Sequence, residues 1–286
     1  QKHCRPFAQP FIKFVKQRNN CNQKCRTAGG IMSGLEIRGK SVLITGGCGG
    51  IGLGIATEFA KRGLSVLLAD RDISGADALC SSYPNVRCIE VDLGNFSAID
   101  AVLKPLLTGN DAPDILVNGV GISPKYAPSG ERWSAWTMPL DHWQDVLRVD
   151  LDSIFYTSSL VLPKMIERRA GRIINIASLV SRTSGGGVAP IHYVTAKTAL
   201  LGLTRVTAQE AGRHGITVNA VNPGRIDTPM IKDVPDKVNQ SIARNIPLQR
   251  LGTPKDVAGV IVFLASELAD YLTGVVIDVN GGMYMA

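Results

Sequence analysis

No run of about 18 apolar residues, the minimum for a membrane-spanning helix, occurs anywhere in this 286-residue chain. A transmembrane protein is therefore not expected. No internal repeat, low-complexity segment or interdomain linker follows Met32, which argues against a repeat array or a chain of small domains. Cysteine is sparse. Cys4, Cys21 and Cys25 lie near the start, and Cys48, Cys80 and Cys88 are scattered through the body. Three body cysteines cannot all pair with one another, and Cys21-x-x-x-Cys25 has no second ligand pair. A disulfide framework and a structural zinc site are both disfavoured, so reduced thiols, a cytoplasmic location and no metal are expected.

Acidic residues are absent from positions 1–31, which carry Lys2, Arg5, Lys13, Lys16, Arg18, Lys24 and Arg26. Those seven charges equal the formal net charge of +7, leaving 24 basic and 24 acidic residues for 32–286. A neutral body gives no footprint for nucleic acid or an anionic membrane. The basic segment itself is open to three readings: a targeting peptide, an arm for an anionic partner, or an extension upstream of a true start at Met32. It contains no serine, and the globular pattern begins within a few residues of Met32, which favours the third.

What is present, from Lys40 onward, is an alternation of short apolar runs with amphipathic stretches. Val42–Ile44, Val66–Ala69, Val86–Val91, Ile115–Asn118, Arg172–Ile176, Thr217–Val221 and Val275–Val279 read as seven strands, and 51–62 as the first helix. Runs such as Arg172-Ile-Ile-Asn-Ile176 are too apolar for a strand with one wet face. The expected fold is therefore doubly wound α/β: a mostly parallel sheet, helices on both faces, and one domain over 32–286.

Thr45-Gly-Gly-Cys-Gly-Gly-Ile-Gly52 falls between the first strand and first helix. Gly46, Gly50 and Gly52 would let a pyrophosphate approach the backbone N–H groups and the helix start near Ile51. Asp70 ends the second strand, placed to accept hydrogen bonds from an adenosine ribose diol and to repel a 2′-phosphate. NAD is thereby favoured over NADP, although the neighbouring Arg71 offers a guanidinium for that phosphate. Tyr193 and Lys197 stand four residues apart, on one face if the segment is helical. A cation about 4 Å from a phenol contributes roughly 4 kcal/mol at an effective dielectric of 20, about three pKa units, which would poise Tyr193 near neutrality as an acid/base group.

With these motifs in order over 35–284, the chain resembles the short-chain dehydrogenase/reductase family. Further matches are Asp92-Leu93 after the third strand, Asn118-Gly-Val-Gly121, Ser178 in Asn175-Ile-Ala-Ser178, and Asn222-Pro-Gly-Arg-Ile-Asp-Thr228. The resemblance implies Tyr193 as general acid/base, Lys197 as its pKa-lowering partner and ribose ligand, and Ser178 as hydrogen-bond donor to the substrate oxygen. It also implies cofactor contacts from Asp92, Leu93, Asn118, Gly121, Pro223, Gly224, Ile226 and Thr228, and a homo-tetramer or homo-dimer. The expected activity is hydride transfer between NAD(H) and a small alcohol or ketone. The alternatives are an NADPH-linked 3-oxoacyl thioester reductase and a non-catalytic dinucleotide-binding protein.

Two departures stand out. Asp150 occupies the position where the family usually has an asparagine in the proton relay, and its charge would raise the Tyr193 pKa. The segment from Ser178 to Tyr193 is two residues longer than the common form and includes Gly185-Gly-Gly187. The 122–139 loop, with Trp133 and Trp136, is expected to frame a substrate together with 181–191, or else to pack its indoles on the surface.

Overall fold

A computed structural model describes residues 35–185, 189–231 and 236–286. The basic segment 1–31 and part of the 185–187 glycine run lie outside them. The described chain forms strands β1 (Ser41–Thr45), β2 (Ser65–Asp70), β3 (Val86–Glu90), β4 (Ile115–Asn118), β5 (Gly171–Ile176), β6 (Ile216–Pro223) and β7 (Val276–Val279). The order is β3-β2-β1-β4-β5-β6-β7, and every neighbouring pair is parallel. All seven expected strands are present. Because β1 lies between β2 and β4, the chain reverses its direction of winding there and leaves a crevice at the carboxyl ends of the strands.

Helices α1 (Gly50–Lys61), α2 (Asp77–Ser82), α3 (Phe96–Val102) and α4 (Lys104–Thr108) alternate with the first strands. They are followed by α5 (Leu140–Leu147), α6 (Ser153–Arg168), α7 (Ile191–Gly212), α8 (Asp236–Asn245) and α9 (Pro254–Leu264). Both sheet faces are covered. On one, Ile55 and Phe59 of α1 and Ile261 of α9 pack on Val42, Ile44 and Val66. On the other, Ile99, Val161, Met165 and Ala208 pack on Leu43, Leu116 and Ile173. Every residue of β5 and β6 is buried, which is why those strands read as continuous apolar runs rather than alternating ones. Each large side chain so buried contributes about 1.5–3 kcal/mol.

One irregularity positions a functional group. Between α5 and α6 the helix passes through a π turn at Arg148–Asp152, where the extra residue per turn re-aims Asp150 inward. Asp150 is fully buried there.

Candidate active site

A cleft of about 550 Å³ opens at the carboxyl ends of the strands. Ser178, Tyr193 and Lys197 line it together with Ile51, Gly121, Pro223, Gly224, Ile226 and Thr228, so segments far apart in sequence meet there. Tyr193 and Lys197 occupy the first turns of α7, and the Lys197 Nζ lies 5.7 Å from the Tyr193 ring centroid. Lys197 is buried, and its Nζ donates to the carbonyls of Val120 (3.3 Å) and Ile176 (3.4 Å).

That ammonium is also 3.3 Å from Asp150 Oδ2. The contact is an ion pair without directed hydrogen-bond geometry, since Oδ2 receives no hydrogen bond while Oδ1 accepts from the Ile122 N–H at 2.7 Å. Burial pushes the Asp150 carboxyl upward in pKa, opposed by Lys197 and the Ile122 N–H. Gly121 closes this corner: a Cβ there would stand 3.0 Å from Lys197 Nζ and 3.1 Å from Asp150 Oδ2, so only glycine fits without displacing the pair.

The phenol departs from the expected near-neutral poise. Its pKa is raised above the ordinary tyrosine value, first because burial disfavours the phenolate, with Lys197 and the neighbouring Ser178 hydroxyl pulling down and Asp150 pushing up. Lys197 acts in the expected direction, but desolvation outweighs it, and Asp150 adds to the upward push. Asp150 therefore meets the lysine directly. Ser178 starts a short 3-10 turn, and its Oγ accepts from the Val180 N–H at 3.4 Å.

The adenosine end is equally ordered. Gly46 adopts a left-handed φ of 63°, which turns the chain out of β1. No side chain caps α1, so the first-turn N–H groups of Gly50, Ile51 and Gly52 are left for an external acceptor. Asp70 closes β2 with Oδ2 accepting from the Cys48 N–H at 3.0 Å and Oδ1 from the Arg71 N–H at 2.8 Å, and the Arg71 side chain is exposed. These features fit a dinucleotide: an uncapped helix start for the pyrophosphate and a fixed carboxylate for the ribose diol. At the end of β3, Asp92 accepts from the Gly94 N–H at 2.8 Å and Leu93 is buried.

Matches to known sequences and structures agree with this geometry. The family profile described as "Enoyl-(Acyl carrier protein) reductase" matches residues 46–284. The 3-oxoacyl-[acyl-carrier-protein] reductase FabG of Vibrio harveyi is 37% identical over 253 residues, covering 88% of this chain and 100% of that protein. The chain belongs to the short-chain dehydrogenase/reductase family. Among solved short-chain dehydrogenase/reductase structures, a 3-oxoacyl-[acyl-carrier protein] reductase from Brucella melitensis ATCC 23457 superposes with a TM-score of 0.79 at 33% identity, covering 91% of this chain and 99% of that one. A Brucella melitensis 3-oxoacyl-[acyl-carrier protein] reductase with bound NAD gives 0.77 at 34% identity, covering 86% and 92%. Like its relatives, this short-chain dehydrogenase/reductase is an NAD(P)-dependent oxidoreductase acting on CH–OH and C=O groups.

Several site features differ from the expectation or were not foreseen. The Asn118 side chain does not line the cleft. It is buried in a polar network, donating to Ser158 (3.0 Å) and Asn175 (2.9 Å) and accepting from Thr157 (3.1 Å). The 122–139 loop contributes Ser123 and Lys125, but neither tryptophan: Trp136 is 87% exposed, and Trp133 stacks on His142 with ring centroids 4.2 Å apart. Thr183, Ser184, Gly185 and Ala189 do reach the cleft. Arg225, Ile231, Ile242 and Met283 complete it, and only Arg225 lay inside a motif segment. His192 was also missed. It is fully buried, its Nδ1 accepts from the Tyr193 N–H at 2.8 Å, and burial lowers its pKa to about 4, so a neutral imidazole supports the start of α7 at physiological pH.

Proposed function

We propose that this enzyme interconverts a secondary alcohol and a ketone, with Tyr193 as the proton-transferring group and NAD(H) as the preferred nicotinamide. The observation that carries the reading is the convergence of Tyr193, Ser178 and Lys197, the last backed by the buried Asp150, on one cleft beside the nicotinamide-type segment Pro223–Thr228. Ile226, Thr228 and the first turn of α1 would hold a nicotinamide there, and that group would supply or accept the hydride. Tyr193 gives its proton to the ketone oxygen in reduction and takes the hydroxyl proton in oxidation. The Ser178 hydroxyl donates to the same oxygen and stabilises the charge that develops on it. Lys197, positive and buried, favours the phenolate against its desolvation. Asp150 fixes that ammonium from behind and offsets part of its field.

The preference for NAD rests on the Asp70 carboxylate, held by two backbone N–H groups where a 2′-phosphate would have to sit. The relatives' activity supports a second reading, reduction of a 3-oxoacyl thioester, which the same proton-transfer groups would serve. For the assembly we propose a homo-oligomer built on the exposed apolar residues of α6 and α7.

Tyr193→Phe tests the chemistry. It should lower kcat by about a hundredfold or more while leaving NADH binding, followed by nicotinamide fluorescence, nearly intact. Turnover within a few-fold of the parent enzyme would refute the role of Tyr193.

A further inference from the structure

The charged residues that line the catalytic cleft are, among the described residues, Lys125, Lys197 and Arg225, with no carboxylate. Lys197 already faces Asp150. Among the described residues Arg225 has no acidic partner, and its hydrogen bonds there run to the Asn239 Oδ1 of α8, from Nε at 3.2 Å and Nη2 at 2.8 Å. This leaves Nη1 and the second hydrogen of Nη2, the end-on fork of the guanidinium that matches a carboxylate in bidentate geometry. The group is half-buried, and burial lowers its pKa with no opposing anion, yet an arginine retains its charge in such a setting.

Carboxylates on the other side of Arg225 are engaged elsewhere. Asp278 accepts from Asn222 at 2.9 Å and lies 3.6 Å from Arg182, while Asp256 is paired with Arg250 at 2.7 Å. The pyrophosphate end of the site is also elsewhere: Thr228 packs on Gly50 of the glycine turn, whereas Arg225 stands between the catalytic cleft and a second cavity lined by Leu248 and Gly281, with α8 beside it. A half-buried guanidinium with no acidic partner among the described residues, in a cleft wall beside Ile231, Ile242 and Met283, is set to receive an anion.

We propose that Arg225 is an anion subsite and that the substrate is a small hydroxy or oxo acid, its free carboxylate held by the Nη1/Nη2 edge while its hydroxyl or ketone faces Ser178 and Tyr193. The inference rests on the oxidoreductase reading above and names its substrate class. A neutral ester or thioester has no charge for Arg225. The cleft must hold the nicotinamide within the same 550 Å³, which keeps the acid small.

The test uses the full chain, with both nicotinamide cofactors, on 2-, 3- and 4-hydroxy acids of short chain length, their methyl esters, and the matching 3-oxoacyl N-acetylcysteamine thioesters. The best acid should exceed its ester by about tenfold or more in kcat/KM, mainly through KM, as expected for a charge-assisted bidentate contact. Arg225→Gln should bring the acid/ester ratio near one, and Arg225→Lys should retain part of it. Binding is read separately by calorimetry on the NAD-loaded enzyme, where butyrate should bind, butyramide should not, and Arg225→Gln should lose the butyrate signal. Esters or thioesters preferred over acids, a ratio unmoved by Arg225→Gln, or butyrate binding no better than butyramide would each overturn the subsite. If butyrate binds through Arg225 but no alcohol or ketone is turned over, the oxidoreductase reading falls and the subsite stands. Turnover without carboxylate preference gives the converse.

Discussion

Tyr193 sits in a contest of four influences: burial and Asp150 hold its proton on, and Lys197 and the Ser178 hydroxyl draw it off. Alcohol oxidation needs the phenolate, so its rate climbs with pH through the phenol's pKa. Asp150→Asn removes a charge that raises that pKa, and the climb should move to lower pH in the kcat/KM profile. An unmoved climb would show that Asp150 does not act on the phenol. Asp70→Ala should erode the NAD/NADP ratio of kcat/KM by about tenfold, the worth of hydrogen bonds to a charged group; an unchanged ratio would assign the preference elsewhere. At this scale the sequence revealed much, because Asp150, Asp70 and the Tyr193/Lys197 spacing are visible as letters. It did not reveal that Asp150 touches Lys197 directly, since the two residues are 47 positions apart and meet only in the folded chain. Nor did it reveal that Cys80 and Cys88, eight positions apart, bring their sulfurs to 3.2 Å where α2 packs on β3.

Helix α9 shows how an element supports the site without touching substrate. Thr253 accepts from the Asp256 N–H, the Asp256 carboxylate accepts from the Thr253 N–H at 2.7 Å, and Arg250 pairs with the same carboxylate. These partners hold the Asp256 pKa well below the usual carboxylate range. A depressed carboxyl contributes stability above its unfolded pKa and loses it as pH falls through the folded one. Asp256→Ala should therefore cost about 1 kcal/mol of stability near pH 7, typical of a lost cap. The deficit should shrink in strong acid, and denaturant melts at both pH values check it. The apolar periods place α1 and the strands correctly in the sequence, since binary patterning depends only on near neighbours along the chain. The glycine turn was likewise legible, because strand, turn and helix are contiguous. The π turn was not, because one extra residue in a helical turn leaves no composition signal.

For the whole molecule, some of the exposed apolar residues lie on α6 and α7. Phe155 is 56% exposed and Ile166 36% on α6, and Val206 is 55% exposed on α7. A homo-oligomer would bury this face, and Phe155→Glu should then shift the light-scattering mass from a multiple of 30.6 kDa toward that value. A wild-type protein already at one chain mass would refute the assembly. The cleft also belongs to this scale, with walls drawn from residues as distant as Ile51 and Met283.

The sequence by itself determined the parallel sheet and the glycine turn, because both are written in local spacing and in the period of apolar residues, and its family resemblance singled out Tyr193 as the proposed proton-transfer group. Only the tertiary structure decided the phenol's upward pKa, the Lys197–Asp150 ion pair and the absence of an acidic partner for Arg225 among the described residues. Desolvation and Coulomb energies depend on distances between residues that are far apart in the chain, and those distances exist only once the sheet has brought its carboxyl ends together.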